Sequence, residues 1–188
     1  RKENVRRVLL SPGHDQHYDS GAVNPRTGLR ECDVAAEVGV LVQGYLEQAG
    51  CEVAVVQSDN LNGESPWLPC VVQSANAWPA DIFVSLHCNA ANGQAKGTER
   101  LVFTTGGESE RLARCIQQQI VDAVDTVDRG VKERPDLCVL RRTDMPAVLV
   151  EMAFIDNDED ARLLTEQTDE IARAIARGVT DYEQEAFQ

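Results

Sequence analysis

The chain has only three histidines, at positions 14, 17 and 87, and two of them stand where apolar runs end. The stretch DIFVSLHCNA, residues 81–90, begins as a buried strand and delivers His87 at its close. The first run, VRRVLL, leads to His14 across the break made by Pro12 and Gly13. A third run, AVLVE, residues 147–151, ends on Glu151, and Glu31 opens a long helical segment after the first loop. Each residue also has a plain structural reading. His87 would serve as a hydrogen-bonded core imidazole, Glu31 as a first-turn acid favoured by the helix dipole, and His14 as an ordinary loop residue. Glu151 is harder to set aside, because a carboxylate closing so apolar a run is costly to bury unless it is paired or metal-bound. In open α/β sheets ligands gather beyond the carboxyl ends of the strands. Four such groups at one rim favour a site over four separate accidents.

Two imidazoles and one carboxylate leave zinc one open tetrahedral position, which in hydrolytic zinc centres holds a water acidified to a pKa of about 7. A second carboxylate is then needed to take and return protons. The expected division is His14, Glu31 and His87 on the metal, with Glu151 unligated as general acid/base. The intervals are irregular, unlike a local HExxH motif, so spacing alone carries little of this.

The elements that must position these groups follow from periodicity. Residues 5–10 are expected as a first strand and 15–29 as a loop. Residues 30–49 place Val34, Val38, Leu41, Val42, Tyr45 and Leu46 on one face of a helix that Gly50 ends. EVAVVQS is the second strand, 66–77 a helix, 81–87 the third strand and GTERLVF the fourth. Residues 107–125 are helical through Leu112, Cys115, Ile116, Ile120 and Val124. DRGVKERPD is turn-rich, LCVLR is short and apolar and counts as the fifth strand, and AVLVE is the sixth. One or two helices follow, from residue 158 to about residue 182. Strands alternating with helices predict a single three-layer α/β domain over residues 1–188 with a mostly parallel sheet.

Bulk properties narrow the function. With 43% hydrophobic and 26% charged residues, the chain falls in the globular class. No apolar run approaches the ~20 residues of a membrane helix, and the start, RKENVRRVLL, shows no signal-peptide apolar stretch. The formal charge of −13 argues against nucleic acid, which is bound by basic patches. A negatively charged substrate has to be met by local cations, a metal ion or a separate targeting module. The six cysteines form no CxxC pair, which argues against a four-thiolate zinc site. They read as small buried free thiols, and so as the mark of a reducing compartment of origin.

Four segments, in order, resemble the zinc-dependent N-acetylmuramoyl-L-alanine amidases of bacterial cell-wall metabolism: VLLSPGHD with DSGAV, GLRECDVAAEVG, DIFVSLHCNA, and MPAVLVEMAFIDNDEDARLL. GTERLVF and RGVKERPDLCVLRRTDMP are similar to the connecting pieces. The resemblance implies zinc on His14, Glu31 and His87, Glu151 as the catalytic acid/base, and hydrolysis of the amide between N-acetylmuramic acid and L-alanine in peptidoglycan. It implies a mixed sheet of about six strands flanked by helices, and action on the wall after secretion or phage lysis, with a wall-binding domain as a separate module. Asp15 stands where family members often carry glycine, and is expected either to orient His14 or to be a solvated loop acid. His17 is an alternative ligand to His14. Cys32 and Cys88 follow two expected ligands, but neither is expected on the metal. Lys132, Arg141 and Arg142 are expected at the rim, holding a stem-peptide carboxylate, with solvated surface as their alternative. No inserted helix is expected in residues 89–97, so the site should be open without a partner, as in autolysins and endolysins. The rival readings are a zinc peptidase or carboxypeptidase on another amide, an inactive wall-binding module, and a structural domain.

Overall fold

The computed structural model describes residues 6–186. In chain order the elements are β1 (Arg7–Pro12), α1 (Glu31–Gln48), β2 (Glu52–Val55), α2 (Val71–Ala77), β3 (Ile82–Asn89) and β4 (Thr98–Val102). Then come α3 (Glu108–Ala123), β5 (Asp128–Glu133), α4 (Cys138–Arg141), β6 (Ala147–Phe154), α5 (Asp158–Glu166) and α6 (Thr168–Ala186). Val5, expected to open the first strand, lies outside the described residues.

The six strands form one mixed sheet in the order β2-β1-β3-β6-β4-β5. The first four are mutually parallel, β4 runs antiparallel to β6, and β5 runs parallel to β4. The central strands β1, β3 and β6 are apolar almost throughout because both of their faces are covered. Side chains alternate between the faces. Val8, Leu10, Val84, Leu86, Val148 and Val150 share one core with Val38 of α1, Ile116 of α3 and Ile175 of α6. On the opposite face, Leu9, Phe83, Ala147 and Leu149 pack against Val72 and Ala75 of α2 and Val139 and Leu140 of α4. Fully burying each such aliphatic side chain is worth about 1.5–3 kcal/mol. Continued toward the carboxyl ends, this second face runs from Leu9 to Ser11 on β1, from Phe83 through Ser85 to His87 on β3, and from Leu149 to Glu151 on β6. The same period of two that buries Phe83 therefore brings His87 to the rim, and it turns Cys88 into the opposite core.

Several elements differ from the expectation. DRGVKE is not a turn but the edge strand β5, paired to β4 with a register shift between Thr98 and Arg100. Asp128, Arg129, Lys132 and Glu133 are exposed on it, so it carries the charges that blunt a sheet edge and no apolar alternation. LCVLR is not a strand. The N–H groups of Leu140 and Arg141 bond back to the Leu137 carbonyl, which winds the segment into α4 and buries Val139 and Leu140. An apolar run this short does not by itself distinguish strand from helix. Strand β2 stops at Val55 rather than at 58, and α2 starts at Val71 rather than at 66. Residues before α2 are instead organised by Asn60, whose Nδ2 donates to the Leu68 carbonyl, whose Oδ1 accepts the Gly63 N–H, and whose backbone carbonyl accepts the Val71 N–H. The C-terminal helical region is two helices, divided at Gln167.

Helices α3 and α6 approach closely at Gly178, where a Cβ would lie 2.5 Å from the Ile116 Cα. Backbone cannot yield as a side-chain tip can. Gly178→Ala is expected to destabilise the fold by about 1–3 kcal/mol, read as a fall of several degrees in the calorimetric Tm. An unchanged Tm would mean that the two helices do not meet there.

Candidate active site

Residues 13–30 form the loop that brings three of the four candidate groups together. Gly13 donates its N–H to the Leu86 carbonyl, which ties the loop to β3. A Cβ on Gly13 would lie 2.4 Å from His87 Cε1, so only glycine lets this backbone pass the imidazole. His14 follows at φ 66°, the one non-glycine among the described residues in the left-handed region. Such a conformation costs of order 1–3 kcal/mol and persists where surrounding contacts impose it. The loop then doubles back through a reciprocal backbone pair between Asp15 and Asp19. Helix α1 begins without a side-chain cap. Its first N–H groups, those of Glu31 and Cys32, instead donate to the carbonyls of Ala22 and Ser20.

Glu31 is 4% exposed, and its two oxygens face four donors. Oε1 accepts the Ala22 N–H at 3.0 Å and lies 3.0 Å from His14 Nε2. Oε2 accepts the Cys88 N–H at 3.0 Å and lies 3.0 Å from His87 Nδ1. The two imidazoles meet edge to face, 5.1 Å between centroids. Ligand atoms of His14, Glu31 and His87 all lie within 4.8 Å of one another. Burial opposes the charge on Glu31, yet the bonds from His14, His87 and Ala22 outweigh it and hold the carboxyl well below its usual range. The bond to Glu31 lifts the His14 pKa to about 9, against burial and with help from Asp19. In the absence of a metal a proton thus supplies the positive charge that this carboxylate requires. Two imidazoles and a carboxylate are the donor types that suit zinc, so the residues present fit such an ion, whose binding would displace that proton.

Glu151 stands beside His87 in the β3–β6 register and opposite Glu99 in the β4–β6 register. Its Oε2 is sealed from solvent without a hydrogen-bond partner. Burial, with Glu31 and Glu99 adding like charge, pushes its pKa up to about 7, while His87 and Arg100 pull the other way. Glu99 is fixed by Asn89 Nδ2 at 2.8 Å and by Lys132 Nζ. Arg100 is fully buried below, with Nη1 on Thr98 Oγ1 and the Glu99 carbonyl.

A cavity of about 460 Å³ opens over this rim, lined by Ser85, His14 and His87, by Asp19 and Asp59, and by Leu137 and Val139 of the α4 segment. Lys132 reaches the rim only through Glu99. Arg141 extends to the Pro135 carbonyl, the Arg142 carbonyl accepts from Asn76, and neither arginine lines this cavity. Asp15 neither touches His14 nor is solvated. It is buried, and its Oδ1 accepts the N–H groups of His17 and Tyr18, closing the turn. His17 is exposed and outside the cluster. The acid that does meet His14 Nδ1 is Asp19, at 2.7 Å. Nothing in its spacing singled it out, since only the reversal of the loop brings it there. All six cysteines are free thiols.

An open α/β sheet that gathers two imidazoles and a carboxylate at its carboxyl edge, beside a separate sealed glutamate, is the frame of a hydrolytic enzyme domain. The chain belongs to the N-acetylmuramoyl-L-alanine amidase family, whose model matches residues 8–181. Protein YqiI of Bacillus subtilis (strain 168) is 38% identical over 179 residues, covering 93% of this chain and 84% of YqiI. The N-acetylmuramoyl-L-alanine amidase LytC of the same organism is 34% identical over 93% of this chain, which spans only 35% of LytC. Among solved structures, the N-acetylmuramoyl-L-alanine amidase AmiC2 of Nostoc punctiforme superposes with a TM-score of 0.81 at 30% identity, covering 95% of this chain and 97% of AmiC2.

The sealed position of Glu151 has a measurable effect on stability. Its folded pKa of about 7 lies above its usual value, so the folded state holds a proton that the unfolded chain releases from about pH 4.5 upward. Stability from this group is complete below that pH and is lost as pH rises through 7. In metal-free protein, Glu151→Gln should therefore gain on the parent between pH 5 and 8, by on the order of 3 kcal/mol at about 1.4 kcal/mol per pH unit. Urea unfolding of both proteins across that range measures it, and parallel pH profiles would show Glu151 to be solvated.

Proposed function

We propose that this chain carries out zinc-dependent hydrolysis of the amide between the lactyl group of N-acetylmuramic acid and the L-alanine of the stem peptide in peptidoglycan. The observation that carries this reading is the convergence of His14 and His87 on the two oxygens of one buried carboxylate, with Glu151 unligated on the adjacent strand. Family membership supports the bond chosen. His14, Glu31 and His87 would hold the ion. Zinc bound there polarises an amide carbonyl and acidifies a water. Glu151 takes the proton of the attacking water and returns it to the leaving nitrogen of L-alanine. A pKa near 7 suits a group that must both accept and donate, and a nearby divalent cation would draw it lower. Leu137 and Val139 give the cavity an apolar side against which a substrate excludes water. Lys132, bound to Glu99 beside Glu151, would be the basic side chain offered to a stem-peptide carboxylate.

The chain would act on the cell wall and need no activating partner. Strands β3 and β4 are joined by residues 90–97 without a helix.

Digestion of purified muropeptides by the isolated chain, followed by mass analysis, tests the reading. The expected product is an intact stem peptide with an L-alanine N-terminus, lost on chelation and restored by zinc. Cleavage at another amide would make the chain a peptidase instead. Glu151→Gln is expected to keep one zinc per chain while turnover falls about 10²–10⁴-fold, and near-parental lysis would remove Glu151 from the mechanism. His87→Ala is expected to lose zinc on metal analysis.

A further inference from the structure

We infer that Asp19 is the positioning residue for His14, fixing which imidazole nitrogen faces the ion; the inference rests on the zinc reading above. The geometry leaves the Asp19 carboxylate little freedom. Its backbone is clamped on both sides, with the Asp19 N–H donating to the Asp15 carbonyl at 3.0 Å and the Asp15 N–H donating to the Asp19 carbonyl at 2.9 Å. Oδ1 accepts the Gly21 N–H at 3.0 Å. Oδ2 is left aimed at His14 Nδ1, 2.7 Å away, a length typical of a charge-assisted bond. A proton held on Nδ1 leaves the Nε2 lone pair free, and Nε2 is the atom that faces Glu31 Oε1 at 3.0 Å. A carboxylate on the far nitrogen both orients a ligating imidazole and raises its basicity. His14 needs such a tether because its left-handed backbone is strained and would otherwise relax. His87 presents its other nitrogen, Nδ1, to Glu31, so the two imidazoles are not interchangeable and each requires its own means of orientation.

Asparagine cannot replace this aspartate. Both oxygens of Asp19 face donors, and an amide offers only one acceptor. If its oxygen meets Gly21, its NH2 group faces Nδ1 and drives the proton to Nε2, where it blocks the metal. If its oxygen meets Nδ1, the Gly21 N–H is opposed by another donor.

The test compares zinc affinity of the unaltered protein and Asp19→Asn by competition with a chelator of known affinity, alongside the Tm of each metal-free protein. The expected result is a 10–100-fold weaker zinc affinity, with activity recovered in excess zinc and a metal-free Tm lowered by at most a few degrees, so that the protein stays folded under the assay conditions. Zinc bound equally by both proteins overturns the inference alone. An unaltered protein that takes up no zinc overturns the zinc reading and this inference with it. A second measurement needs no variant. In 15N-edited NMR of the zinc-loaded unaltered protein, His14 should show a slowly exchanging Nδ1 proton. Absence of that proton, or a second zinc per chain held by His14 Nδ1, Asp19 and Asp59, which also lie within ligand distance of one another, would overturn the assignment whether or not Asp19→Asn folds.

Discussion

The carboxylate of Glu31 is the constraint on which the rest of the site depends. A charge this deeply buried has to be met by donors or it destabilises the fold by several kcal/mol. Here the donors come from two separate places, the loop through His14 and Ala22 and strand β3 through His87 and Cys88, converging on the first residue of α1. Each contact explains a local irregularity. The β3–β6 ladder shifts register between His87 and Asn89, where the Cys88 N–H turns to Glu31. The start of α1 does without a side-chain cap because the loop that carries His14 supplies carbonyls to its N–H groups. His14 adopts a backbone conformation that only such a web of contacts would hold.

Glu151 is governed by a different neighbourhood. Strand β4 is buried at every position although it carries Glu99 and Arg100. Glu99 is kept ionised by Lys132 and Asn89, although burial opposes its charge. Arg100 lies on the far side of the strand, its own pKa brought down to about 9 by burial. A buried carboxylate with Glu31 and Glu99 as like charges, His87 and Arg100 opposing them, and an oxygen sealed from water is neither firmly ionised nor firmly neutral. The edge strand β5, which supplies Lys132, thereby reaches the neighbourhood of Glu151 through two side chains, Lys132 and Glu99.

What the sequence made legible was what one period governs. Phe83, Ser85 and His87 share a face because strands alternate, and Val34, Val38, Val42 and Leu46 share one because helices repeat, so the central strands, the long helices and the four candidate groups could be placed from spacing and family resemblance. What escaped was set by contacts between distant segments. Asp128–Glu133 has no apolar pattern because an edge strand bonds through its backbone and wears charge outside. LCVLR is apolar because it covers a sheet face, and its backbone bonds go back to Leu137 rather than across to a strand. Asp15, next to His14 in the chain, is the loop acid the sequence offers for orienting that imidazole, whereas Asp19 carries no such mark. The fold of the loop gave one the closing of a turn and the other an imidazole.

The two sides of the sheet are covered unequally. Three long helices, α1, α3 and α6, seal one side in a continuous core, whereas the other is roofed only by the short α2 and α4 and by irregular chain. The cavity opens through that thinner roof, and its α4 segment contributes apolar lining without supplying any of the four chemical groups. The larger core and the cavity thus lie on opposite sides of one sheet. A change in the length or composition of that roof would alter the cavity wall while leaving the three-helix core and the rim groups in place.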